Sequence, residues 1–93
     1  MIAEADIIAA RARAFFRGVR RRHPGRKVAA VTHGDVVVFA MLWACGLPLT
    51  PQSKSRLNTL GFTGGYPATG SLTMFTFRTG SADELPAVRH LKP

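Results

Sequence analysis

The chain is short of acid, of cysteine and of long apolar runs, and each shortage excludes something. Of its 93 residues only five are Asp or Glu, against 13 Lys and Arg, which leaves a formal charge of +8. That balance favours anionic partners, whether phosphate esters, nucleic acid or an acidic membrane surface, without choosing among them. Cys45 is the only cysteine, so no intrachain disulfide forms and a reducing compartment is expected. Its setting, "LWACGL", predicts a small core residue near a helix end and not a reactive thiol, because no His or basic side chain is local to it. The apolar run Val36–Cys45 falls well short of the roughly 20 residues that a bilayer span requires. The opening "MIAEADIIAARARAFF" sets acids first and arginines inside the apolar pattern, unlike a secretory leader. A soluble, cytoplasmic protein is the expectation. His23, His33 and His90 are far apart, with no Cys or acidic set at ligand spacing, so neither a metal nor another cofactor is expected.

What is present suits one small α/β domain. The composition is 46% hydrophobic with six Phe, ordinary for a globular chain, although a chain of this size buries only about 60% of its unfolded surface. Residues 3–22 carry a helical period, with Ile8, Ala12, Phe15 and Val19 on one face. Arg13, Arg17 and Arg20 fall on another, read as a basic solvated face, and "HPG" at 23–25 ends the element. "KVAAVT", residues 27–32, has no helical period and predicts a strand buried on both faces, as in a parallel sheet. A helix is expected over about 36–45, capped by Asp35 and stopped by Gly46 and Pro48. Residues 50–60 read as a polar connector with a short helical turn, and 61–70, with four Gly and a Pro, as loop. "SLTMFTFR", 71–78, predicts a strand apolar on both faces and covered on each. "TGSADE" turns the chain, and "PAVRHL" supplies a last short strand.

The polar triplet His33-Gly34-Asp35 interrupts this apolar stretch. A buried polar group without a partner costs a few kcal/mol, so the triplet needs either an internal hydrogen bond or a ligand. His33 falls at the carboxyl end of the expected strand, where open α/β sheets bind ligands. The helix that follows offers free amides and a positive dipole to an anion such as phosphate. His33 would donate to a phosphoryl oxygen, and Gly34 would let the ligand approach the backbone. The alternative, a histidine satisfied by a nearby carbonyl with Gly34 in a tight turn, is equally compatible with the pattern. Asp35 reads first as a helix cap, worth roughly 1 kcal/mol, and second as a proton donor. "GYPATGS", 65–71, spaces its glycines like a P-loop, but no Lys follows Gly70 and the segment precedes a strand. No Gly-x-Ser-x-Gly elbow is present.

The order of these motifs resembles the histidine phosphatase superfamily, which includes cofactor-dependent phosphoglycerate mutase. "RHPG", then "VAAVTHG", then "CGLPL" follow one another as that family's later helix, buried strand, Thr-His-Gly and next helix do, and "TGSLTMFTF" is similar to its later strand. The resemblance implies a partial three-layer, mostly parallel sheet with flanking helices, and a site for phosphate monoesters. It also implies that His33 is the second, phosphoryl-binding histidine, with the Gly34 amide beside it.

The family's nucleophile lies in an Arg-His-Gly motif, and none of the three histidines here stands in one. Thr69 occupies a position where the family commonly has Asn, and Asp35 stands one residue beyond the acid of the acid-phosphatase branch. Residues 1–93 are therefore expected to be the C-terminal portion of a single such domain, inactive alone. They would be completed by a missing N-terminal half or by another copy, because the strand at 27–32 would otherwise be an open apolar edge. The alternative reading is a small basic protein that binds nucleic acid or an acidic partner through its arginine-rich helix. Nucleic acid is disfavoured, since no Asn or Gln lies in 1–51 and Phe15 and Phe16 lie on or beside the apolar face.

Overall fold

The fold is taken from a computed structural model that describes residues 4–64, 66–81 and 83–93, with side chains from Asp6 onward. Residue 3 of the expected first helix, Gly65 of the loop and Ala82 of the late turn lie outside the described residues. Helix α1 spans Glu4–Arg22, and α2 spans Gly34–Ala44. A single helical turn, α3 at Pro51–Lys54, runs into a 3₁₀ helix at Ser55–Leu60, and strands β1 (Leu72–Thr76) and β2 (Ala87–Leu91) follow.

The ends of α2 follow from local chemistry. Gly46 takes φ +69°, and its amide bonds the Trp43 carbonyl at 3.0 Å while the Leu47 amide reaches Leu42 at 2.9 Å. This pair of bonds is a Schellman motif, which satisfies two otherwise orphaned carbonyls and turns Leu47 back toward the core. Thr50 caps α3, its side chain accepting from the Ser53 amide at 3.4 Å, with Pro51 at the first helical position. The polar connector is thus helical, and it carries Leu57 into full burial.

Two linked clusters hold the elements together. Val38, Met41 and Leu42 of α2 meet Leu57 and Phe62, flanked by Leu47, Leu49, Phe75 and Val88. Phe16 of α1 stacks on Trp43 at 5.6 Å between ring centroids and touches Phe75 at 4.9 Å and Phe77 at 5.6 Å. Such ring pairs each contribute roughly 0.5–1.5 kcal/mol beyond the area they bury. The apolar face of α1 is therefore rotated from the one expected. Ala9, Ala12 and Phe16 face inward, and Phe15 is exposed. Arg20 also leaves the solvated face. It lies 4.2 Å over the Phe77 ring, donates to the Thr79 and Ser81 carbonyls at 2.9 Å each, and pairs with Glu84 at 3.2 Å.

Three expectations about strands are corrected. The sheet is antiparallel, not mostly parallel: β1 and β2 pair in the register Leu72↔Leu91, Thr73↔His90, Met74↔Arg89, Phe75↔Val88 and Thr76↔Ala87. Only ten residues separate the strands, too few for the helical crossover that parallel neighbours need. Nor is β1 covered on both faces. Phe75 and Val88 pack on the core, whereas Leu72, Met74 and Leu91 are exposed. Residues 27–32 form no strand at all, and Val28 and Val31 stand in solvent. A strand is completed by its neighbours' hydrogen bonds, and the described residues place no strand beside this segment.

Candidate functional site

His33 marks the junction between the open segment and α2. It is the N-cap residue, with extended backbone (φ −89°, ψ 156°), and its side chain makes no capping hydrogen bond. The residue is exposed, so its imidazole is not the satisfied core histidine that remained an alternative. The first bond of the helix runs from the Val37 amide to the His33 carbonyl at 3.3 Å. The amides of Gly34, Asp35 and Val36 therefore have no carbonyl partner within the helix, and they point out of its positive end. Asp35 is not the cap. The helix begins one residue before it, which places Asp35 exposed in the first turn, where a carboxylate complements the dipole.

Gly34 faces the loop that follows the 3₁₀ helix. A methyl group added there would lie 3.6 Å from Tyr66 Cδ1 and 3.8 Å from Pro67 Cδ, ordinary contact distances. The fold thus tolerates alanine at this position, and no positive φ demands glycine. The loop is held by reciprocal bonds between Thr63 and Tyr66, at 2.9 and 3.1 Å. The Tyr66 hydroxyl in turn receives Lys54 Nζ at 3.3 Å. Lys54 and Tyr66 were not legible as site residues, being 12 positions apart and joined only by the turn between them. Thr69 is exposed on the same loop.

Other candidates have structural roles or none. Cys45 is the C-cap of α2 and, contrary to expectation, is exposed rather than core. Partial desolvation raises its thiol above the ordinary value, the opposite of what a reactive thiolate requires. His90 is fixed against Thr73 Oγ1 at 2.7 Å and lies 4.4 Å from the Phe62 ring. Its burial, and Lys92 beside it, hold its pKa below the ordinary value. Glu84 accepts from the Arg78 amide at 2.6 Å and from the Thr79 amide and hydroxyl at 2.9 Å each. These bonds, the Arg78 amide first, hold its pKa below the usual carboxylate value, with the Arg20 guanidinium adding to the effect. Among the described residues no cluster of His, Cys, Asp or Glu is disposed to hold a metal ion.

A family model for the histidine phosphatase superfamily (branch 1) matches residues 4–72 of the 93. The chain belongs to the histidine phosphatase superfamily. The match runs from α1 through the Thr-His-Gly at 32–34 to the first residue of β1. No curated protein and no solved structure matches the chain. Among the described residues no helix is long and apolar enough to cross a membrane.

Proposed function

We propose that this chain is the C-terminal portion of a single histidine phosphatase domain, and that His33 and Gly34 bind the phosphoryl group of a phosphate monoester. The observation that carries the reading is the exposed His33 at the N-terminus of α2, inside the segment matched to the family. Phosphoryl transfer needs fixed donors where charge gathers on the equatorial oxygens. Here the imidazole donates an N–H from one side, and the Gly34 amide, with the helix dipole behind it, donates from another. Asp35 serves the first turn of the helix and takes no part in proton transfer. The position of Thr69 brings no amide side chain to the site.

The nucleophile lies outside these residues, since no Arg-His-Gly is present, and the isolated chain does not turn over. A paired assay of p-nitrophenyl phosphate hydrolysis by the wild type and by His33→Ala tests this. Neither is expected to hydrolyse the ester, while inorganic phosphate binds the wild type and not the variant. Turnover that vanishes with His33→Ala would show that the nucleophile is not missing.

A second reading rests on a separate observation. Arg22, His23, Arg26 and Lys27 line an open depression with Pro24 and Val28, and no acid occurs in residues 7–34. That surface suits an acidic partner. Affinity for duplex DNA that falls steeply with salt would favour it, through counterion release.

A further inference from the structure

Asp6, Ala9, Ala10 and Arg13 stand at i, i+3, i+4 and i+7 of α1, and so share one face of the helix. All four line one side of an open groove of about 410 Å³, with Leu49 and the exposed Leu85 among the residues opposite. Arg13 is held on this face, its guanidinium 5.9 Å from the centre of the Trp43 ring. Among the described residues the only ion pair is Arg20–Glu84, so neither Asp6 nor Arg13 is paired there. Seven positions of helix separate the two charges by about 10 Å along the axis, too far for one to neutralise the other.

This pattern is complementary to itself in one orientation. The midpoint between Asp6 and Arg13 falls between Ala9 and Ala10. A second α1 laid antiparallel about that point sets Asp6 of each copy against Arg13 of the other. The alanines then meet at the crossing, where small side chains let two helix axes approach to about 8 Å. A parallel pairing would instead set Asp6 on Asp6 and Arg13 on Arg13, which repel. In the antiparallel register Arg17 and the arginines after it fall past the start of the partner's helix, so the basic half of α1 is not laid on itself. That matters in a chain of net charge +8, which resists contact between copies unless opposite charges meet.

We propose that this face of α1 is a two-fold interface, and that its partner is a second copy of the chain. Such an interface is isologous, so the Asp6–Arg13 contact occurs twice in each dimer. The groove beside α1 receives the partner's helix, and Leu49 and Leu85 form its apolar wall. The interface does not depend on the phosphate-binding reading of His33 and Gly34.

Sedimentation velocity of the chain over a series of concentrations tests the interface. The wild type is expected to show a reversible monomer–dimer equilibrium. Asp6→Lys and Arg13→Glu each set like charges together at both contacts, and each should weaken the dimer at least about tenfold. Mixing these two variants one to one should restore association, because the heterodimer again pairs opposite charges at both contacts. Ala10→Gln places a good helix former at an exposed position while crowding the crossing, and it should also weaken the dimer. It decides the matter if circular dichroism shows that a charge reversal has unfolded the chain. A wild type that stays monomeric at every concentration would overturn the interface. So would a dimer that survives either charge reversal or Ala10→Gln, or one that mixing the folded variants does not restore.

Discussion

Two neighbouring apolar stretches of this chain have opposite fates. In α2, Val38, Met41 and Leu42 are fully buried, whereas Val28 and Val31 a few residues upstream stand in solvent. Hydrophobicity does not separate them, since both are rich in valine and alanine. The neighbours do. α2 packs against α1 through Trp43 and Phe16, and against Leu57 of the 3₁₀ helix and Val88 of the hairpin. Among the described residues, no strand lies beside residues 27–32. Burial is thus a property of the partner surface as much as of the side chain, and His33 sits where the packed region gives way to the open one.

The sharpest way to break that comparison is to truncate one side chain on each side of the boundary. Leu57→Ala should cost about 3 kcal/mol, by lost transfer energy and the cavity left behind. Val31→Ala should cost less than about 0.5 kcal/mol, as expected at an exposed site. Urea unfolding followed by circular dichroism measures both, and equal losses would mean that residues 27–32 are packed in solution.

The next effect is electrostatic. Glu84→Ala removes the acceptor for two backbone amides, a hydroxyl and Arg20, and should lower the melting temperature by several degrees. Because the folded carboxyl titrates below its ordinary value of 4.5, its contribution is complete above that pH. It is lost as pH falls through the lowered value, so the difference between wild type and variant should narrow in acid.

A smaller pH effect belongs to His90. Its folded pKa lies below the ordinary 6.5, so from about that pH downward the unfolded chain takes up the proton more readily. Stability should therefore decline as pH drops below 6.5, and His90→Gln should flatten that slope in thermal melts at a series of pH values. The smallest change expected is at the boundary itself. Gly34→Ala meets only ordinary contacts, and its stability should stay within about 1 kcal/mol of wild type. Phosphate affinity should fall, because the added methyl occupies space beside the amide.

The two long helices were legible because their apolar period and their stop signals agree: "HPG" after α1, Gly46 and Pro48 after α2. Both hairpin strands were legible from their β-branched and aromatic content. Their antiparallel pairing could have been read from the short connection between them. The open segment was misread because valine and alanine report a preference for apolar surroundings and say nothing of whether a neighbour exists. The inward turn of Phe16 rather than Phe15 was not legible either, since adjacent residues on a helix differ by less than the width of its apolar stripe. Within the candidate site, the position of His33 at the start of a helix was readable. The approach of Tyr66 and Lys54 to that helix was not, because it depends on how the loop after Leu60 closes.

The most direct test of the proposed phosphate site is a heteronuclear NMR titration of the chain with inorganic phosphate, following the Gly34 amide and the His33 imidazole. Saturable shifts at both are expected in the wild type, with loss of the Gly34 shift in His33→Ala. No saturable shift at Gly34, or the same shift in the variant, would contradict it.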